Sequence, residues 1–290
     1  MKKTTILLLV LALCFALGAT KAFADTATGQ VTLNNAAPSV GTVTLWNQAG
    51  VDAAITLTAG STVTVTANVT VTDTNGGSDI SSAAATLYHS TSTSAGADDE
   101  NIHLTNGTCT VGTPSGNDAV ATCQFTMNYM ALGGTWTANI TATDASAATG
   151  SGTDANTAND LAGLDVAEAN VNFGAMDLST NSSSAQATTV KNAGNVQIDS
   201  QFSGTTYSCT SGTIPVGNTR CSQSTGNYDS MSVDLTTSPA TDAAFNLGVR
   251  GVATSNGADS TKSEYWTIKI PASGVGGSCS DTITIGAVAG

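Results

Sequence analysis

Basic residues are nearly missing from this 290-residue chain: 8 Lys and Arg stand against 21 Asp and Glu, and residues 22–190 contain none. Such a balance repels phosphate backbones and excludes a nucleic-acid binder. Histidine is almost as scarce. His89 and His103 are the only two, and neither sits in an H-x-H, H-E-x-x-H or Gly-x-Ser-x-Gly setting, so the sequence predicts no catalytic centre and no enzyme. Both read as structural or surface residues. Long apolar runs are missing beyond Ile6–Leu17, about a dozen residues against the ~20 that cross a bilayer, so no transmembrane segment is expected. Charged residues are only 10% of the chain and aromatics 5%, while Thr (49) and Ser (30) abound. Few strong helix formers and many Thr and Val residues predict an all-β protein.

The first 24 residues read as a signal peptide. Lys2 and Lys3 precede the apolar run, and Ala22-Phe23-Ala24 offers small residues at the cleavage positions, which places the mature start at Asp25. The expected location is secreted, extracellular or cell-surface. Cys14 lacks the small neighbour of a lipoprotein cysteine, because Leu13 precedes it and the apolar run continues. The mature chain keeps 5 bases against 21 acids, a charge of −16. All five bases, Lys191, Arg220, Arg250, Lys262 and Lys269, lie in the last hundred residues, and this asymmetry predicts two different units.

Alternation with period two marks the strands. In Thr62–Asp73, Val63, Val65, Ala67, Val69 and Val71 share one face; in Thr135–Asp144, Trp136, Ala138, Ile140 and Ala142 do. Adding 39–47, 53–58, 83–89, 102–111 and 119–129 gives about seven strands, the size of an immunoglobulin-like sandwich. Residues 25–147 are therefore read as an acidic Ig-like β-sandwich domain, 148–164 as a flexible Gly/Ser/Thr-rich linker and 165–290 as a second Ig-like domain. Its expected strands are 166–173, 185–191, 195–204, 230–236, 244–249, 264–270 and 281–289, with positive φ tolerated in the turn Asn192–Asn195. The short segment Gln30-Val31-Thr32-Leu33 is expected to pair within its own domain rather than complete a neighbour's sheet.

Asn192–Asn195, Tyr265–Pro271, Gly274–Gly277 and Asp281–Ile285 resemble the corresponding pieces of Ig-like modules in exported prokaryotic surface proteins. Val71–Gly77 and Gly134–Ala138 are similar to the Ig-like repeats of surface-layer and adhesin-type proteins. The resemblance implies the fold and a surface-layer or adhesion role. Ser278-Cys279-Ser280 stands where that family usually has an aromatic residue.

Five cysteines remain after processing, spaced too irregularly for a tetrahedral zinc site and suited to disulfides in an oxidising compartment. Cys109 and Cys123 flank a Gly/Pro/Asn-rich turn and would bridge inward-facing hairpin strands. Cys209 closes a loop with Cys221 or reaches Cys279, and either choice leaves one thiol over. The loop Asp73-Thr74-Asn75-Gly76-Gly77-Ser78-Asp79 spaces oxygen ligands at Asp73, Asn75 and Asp79 around a glycine turn, and Asp144 ends a strand at the same expected pole. Together these are a candidate calcium site, with an ordinary Asx turn as the competing reading. Asp98-Asp99-Glu100 reads as a solvated acidic loop. Asn68, Asn106, Asn139 and Asn181 begin N-x-S/T sequons, with Asn68 and Asn139 on outward strand faces. Trp136 and Trp266 are expected in cores. The resulting expectation is a non-catalytic cell-surface or extracellular structural protein acting by self-assembly or adhesion to other surface proteins. The alternative is a glycan- or ligand-binding module, which would expose Trp46 or Tyr228 at a loop pole.

Overall fold

The computed structural model describes residues 28–168, 170–250 and 260–290, so the signal-peptide reading lies outside the described residues. The chain divides into two compact units, 1–35 and 36–290. Of the first, residues 28–35 carry no strand, with Val31 and Leu33 84% and 79% exposed. Gln30–Leu33 therefore joins no sheet of its own domain, contrary to expectation: its two apolar side chains find no inner face to cover.

The second unit is all-β and antiparallel. Its first part contains β1 (Ser39–Val40), β2 (Thr44–Trp46), β3 (Thr62–Thr72), β4 (Ile80–His89), β5 (His103–Asn106), β6 (Thr110–Val111), β7 (Asp118–Asn128), β8 (Gly134–Asp144) and β9 (Thr149–Ala158). One sheet runs β1-β3-β7-β6 with β2 also on β3, and the other runs β5-β4-β8-β9. This is the strand order of an immunoglobulin-type Greek key. The alternation read in the sequence fixes the register. Val65, Ala67, Val69 and Val71 from β3 and Ala119, Ala121, Cys123, Phe125 and Met127 from β7 meet Trp136, Ala138, Ile140 and Ala142 from β8 in one core. The opposite faces of β3 and β8 carry Thr62, Thr64, Thr66 and Thr70, and Thr137, Asn139 and Thr141. The expected strand 102–111 is cut in two: β5 pairs with β4 in one sheet, and after Gly107-Thr108-Cys109 the chain crosses to β7 in the other. Residues 53–58 contribute only a bridge between Ile55 and Ala158.

The segment expected as a flexible linker is instead built into the sandwich. β9 pairs with β8 over ten residues, from Gly134–Ala158 to Thr143–Thr149. It lacks large apolar residues because its inner face lies too close to the β1–β2 segment to admit them. A Cβ on Gly150 would lie 2.0 Å from the Pro38 carbonyl oxygen, and one on Gly152 2.7 Å from Val40 Cγ1. Asp154 Oδ2 accepts from Leu45 N at 2.7 Å, and Asn156 Nδ2 donates to the carbonyls of Leu45 at 3.0 Å and Ala53 at 2.8 Å. Small and amide side chains thus do the work of a strand ladder there.

The second part holds β10 (Leu164–Val166), β11 (Gln186–Asn192), β12 (Ile198–Gly204), β13 (Tyr207–Ser211), β14 (Thr213–Ile214), β15 (Thr219–Ser222), β16 (Val233–Asp234), β17 (Ala240–Leu247), β18 (Thr261–Ile268), β19 (Gly276–Ser280) and β20 (Ile283–Ala289). They form sheets β10-β11-β18-β15-β16, β17-β12-β20 and β14-β13-β19. Trp266 is fully buried, edge-on to Phe202 at 5.2 Å between ring centres, and its Nε1 donates to Thr188 Oγ1 at 2.9 Å. The β13–β14 hairpin and β19 are additions to the expected strands. β13 and β14 are short, with one buried residue each, Tyr207 and Ile214, and β19 is exposed on both faces, which hides them from a periodicity reading.

Disulfides join Cys109 to Cys123 and Cys209 to Cys279. The first is the expected bridge, with both sulfurs in the core. Of the two alternatives for Cys209, register decides: Cys209 and Cys279 are direct partners across β13 and β19. Cys221, a candidate bridge residue by sequence, is a free and fully buried thiol, because β15 turns it into the Trp266 core.

Candidate functional site

Three places in the second unit gather polar chemistry. The first is the end of the first sandwich where β3 and β8 finish and β7 begins. After β3 the chain turns through Gly76 at φ 123°, then a short 3-10 turn over Gly77–Asp79, before entering β4. Gly77 must be glycine, since a Cβ there would lie 2.6 Å from the Asp118 carbonyl oxygen. Asp73 ends fully buried. Its Oδ1 accepts from Asn75 N at 2.8 Å, and its Oδ2 is buried without a hydrogen-bond partner. Asp144 is also buried, its Oδ1 accepting from Ser146 N at 2.9 Å and Ala148 N at 2.8 Å. Carboxylate oxygens of Asp73, Asp79 and Asp144 lie within 4.8 Å of one another. Asn75, the fourth residue singled out by sequence, points elsewhere. It is exposed, and its Oδ1 accepts from Ala36 N at 2.8 Å, so the chain entering the sandwich takes up the oxygen assigned to an ion.

The second place is the opposite end, where the turn Asn192–Asn195 meets the first sandwich. No positive φ is used here; side-chain amides hold the turn instead. Asn195 is buried, its Oδ1 accepting from Leu161 N at 2.6 Å while Nδ2 donates to the carbonyls of Ala131 at 2.8 Å and Asn159 at 3.2 Å. Ala193 accepts from Gly60 N and donates to the Gly163 carbonyl, both at 2.9 Å. Gly194 lies so close that a Cβ would stand 2.0 Å from the Leu161 oxygen. Asn192 closes the turn from behind, accepting from Gly194 N at 2.8 Å and donating to the Val196 carbonyl at 2.8 Å. The two sandwiches are thus joined by a hydrogen-bonded clamp. The Asn-x-Gly-Asn motif was visible in the sequence; its partner segments, 129–133 and 159–163, were not.

The third is a cleft of about 810 Å³ lined by Asp98, Asp99, Glu100, His103, Asn106, Gln124 and Phe125 among others. His103 is buried, with Nδ1 3.3 Å from Asp98 Oδ1 and Nε2 without a partner. The acidic loop 98–100 is thus one wall of this cleft. His89 is a packing residue: its Nδ1 lies 2.9 Å from Thr91 Oγ1, Nε2 3.1 Å from the Gly133 carbonyl, and its ring is edge-on to Trp136.

Elsewhere, Tyr228 is not the exposed aromatic that a loop-pole binding site would need. It is buried, and the Arg220 guanidinium lies 4.5 Å from its ring centre. Trp46 is half-buried. Asn68 and Asn139 are half-buried on the outer faces of β3 and β8; Asn106 commits its Nδ2 to the Gln124 carbonyl at 2.8 Å; Asn181 is exposed. Sequence reading missed Glu264. On β18 it is fully buried, with Oε1 accepting from Ser200 Oγ at 2.9 Å and Oε2 without a partner, and burial pushes its pKa up to about 7. The same burial, reinforced by Glu264, raises the Cys221 thiol pKa well above its usual value.

No protein-family profile and no curated protein sequence matches the chain. Among solved structures it is similar to a carbohydrate-binding module of the β-sandwich superfamily, at 11% identity and TM-score 0.26 over 89% of this chain and 99% of that one. It is similar also to the C-terminal domain of the Streptococcus agalactiae AgI/II polypeptide BspA, at 11% identity and TM-score 0.20 over 86% and 99%. A third is the secreted serine protease VesC of Vibrio cholerae, at 9% identity and TM-score 0.20 over 80% and 48%. Likeness at this level carries no functional argument. No described helix is long and apolar enough to cross a membrane.

Proposed function

We propose that this is an exported, non-catalytic protein of the cell surface or extracellular space that acts by assembly or adhesion. The observation that carries the reading is the Asn192–Asn195 clamp, reinforced by two disulfides. A joint with amide hydrogen bonds to both neighbouring segments transmits orientation between the sandwiches, which an assembling or tethering element needs and a freely jointed binding module does not. Disulfides suit an oxidising, extracytoplasmic setting, as does the leader-like start. The test is sedimentation velocity and negative-stain microscopy of the oxidised mature protein over a range of concentrations. Ordered self-association, or binding to purified envelope, supports assembly or adhesion; a monomer inert to envelope at every concentration overturns it.

A second reading, glycan binding, is favoured by the cleft that Asp98–Glu100 line together with Asn106 and Gln124. A glycan array with the wild type and an Asp99→Ala, Glu100→Ala variant tests it. Retention lost in the variant would support this reading, whereas an empty array would remove it.

A further inference from the structure

We propose that Asp73, Asp79 and Asp144 form a calcium-binding site that locks the end of the first sandwich remote from the clamp. β3 runs from the clamp side at Thr62 to this end at Thr72, and 11 residues at about 3.4 Å each put the two roughly 35 Å apart. The central observation is Asp73. This fully buried carboxylate gives up its hydration for one bond, from Asn75 N to Oδ1, and its Oδ2 meets no donor. Two more carboxylates within 4.8 Å make the arrangement repulsive. Basic relief is remote in sequence, since residues 22–190 hold no Lys or Arg.

A cation reverses each of these terms. Three carboxylates with no imidazole or thiolate among them form a hard-oxygen donor set, which selects Ca²⁺ or Mg²⁺ over zinc or copper. Calcium is favoured because it accepts irregular oxygen shells, and the donors come from two separated loops with Asp144 already turned by its bonds to Ser146 and Ala148. The ion would tie the β3–β4 turn to the β8–β9 turn, which also meet where Ala145 N donates to the Asp79 carbonyl at 2.8 Å. Because Asn75 hydrogen-bonds Ala36, the same turn holds the chain's entry into the sandwich. This inference is independent of the assembly reading: assembly without the ion and ion binding without assembly are separate outcomes, and the two assays report them separately.

The experiment is metal uptake by chelator-stripped mature protein, counted by equilibrium dialysis with calcium alone, alongside melting curves in calcium and in magnesium. The expected result is one Ca²⁺ per chain and a melting temperature that rises with calcium concentration, because calcium at a hundredfold over Kd favours the native state about a hundredfold. Asp73→Asn and Asp79→Asn should abolish uptake, and Asp99→Asn, in the other acidic loop, should not. Asp79→Asn guards against misfolding, since that side chain is only half-buried, and its circular dichroism should match the wild type. No uptake at millimolar calcium, uptake unaffected in Asp79→Asn, or equal melting shifts from magnesium and calcium would each overturn the assignment.

Discussion

Replacing Asn195 with alanine removes three hydrogen bonds from the joint between the sandwiches: one accepted from Leu161 N and two donated to the Ala131 and Asn159 carbonyls. Each is worth a net of about 1 kcal/mol, so the loss is about 3 kcal/mol, more if water cannot reach the orphaned groups. For a chain of this size that corresponds to a fall in melting temperature of roughly 6–12 °C. The loss also uncouples. Scanning calorimetry of the wild type should give one dominant transition, and Asn195→Ala should broaden or split it as the sandwiches melt separately. Asn195→Asp supplies the internal control. It keeps an acceptor for Leu161 N but sets a carboxylate against two carbonyl oxygens, so it should cost at least as much as alanine. A single, unshifted transition in Asn195→Ala would refute the clamp and return the joint to a flexible connection.

Glu264 supplies a pH test. Its folded pKa of about 7 lies above the ordinary glutamate value of 4.5, so between these values the native state holds a proton that the unfolded state has released. Its contribution is fully present below about pH 4.5 and lost as pH rises through 7, a decline of about 3 kcal/mol. Chemical denaturation at pH 5 and pH 8 should show this component in the wild type and not in Glu264→Gln, which keeps an acceptor for Ser200; equal pH slopes would sink the argument. Thiol titration of the mature oxidised protein should find no reactive thiol in the native state and one, Cys221, on denaturation. Cys109→Ser with Cys123→Ser should cost about 3 kcal/mol by loop closure, and Cys209→Ser with Cys279→Ser, closing a much longer loop, about 4 kcal/mol.

Strands whose inner faces fill a core were legible in the sequence. β3, β7 and β8 alternate Val, Ala, Phe, Met and Trp with Thr and Asn because one face is dry and the other wet, and their register follows from that alternation. β9 was illegible because its inner positions, Gly150, Gly152, Asp154 and Asn156, either lie too close to the β1–β2 segment for a large side chain or hydrogen-bond its backbone, so it carries the composition of a linker. The acidic site was half legible. The spacing Asp73–Asp79 and the strand-end position of Asp144 pointed to one pole, but the role of Asn75 depends on Ala36, which no local pattern connects to it. Glu264 shares the inward phase of Trp266 and Ile268, but as the first residue of the expected strand 264–270 it reads as a solvated strand end; only the fold shows that Ser200 of β12 meets it inside. The Cys209 pairing likewise waited on β13, too short to show a period, and on β19, whose exposed Gly and Ser residues leave none to read.

Under the proposed function this protein works outside the cell membrane, at the surface or beyond it. The direct measurement is immunogold labelling of intact, unpermeabilised native cells and of the surrounding medium with an antibody to residues 36–290. Gold on the cell exterior or on extracellular material, removed by protease treatment of whole cells, is the outcome that the account predicts. Labelling that appears only after permeabilisation, with the antigen protected from protease in intact cells, would contradict it.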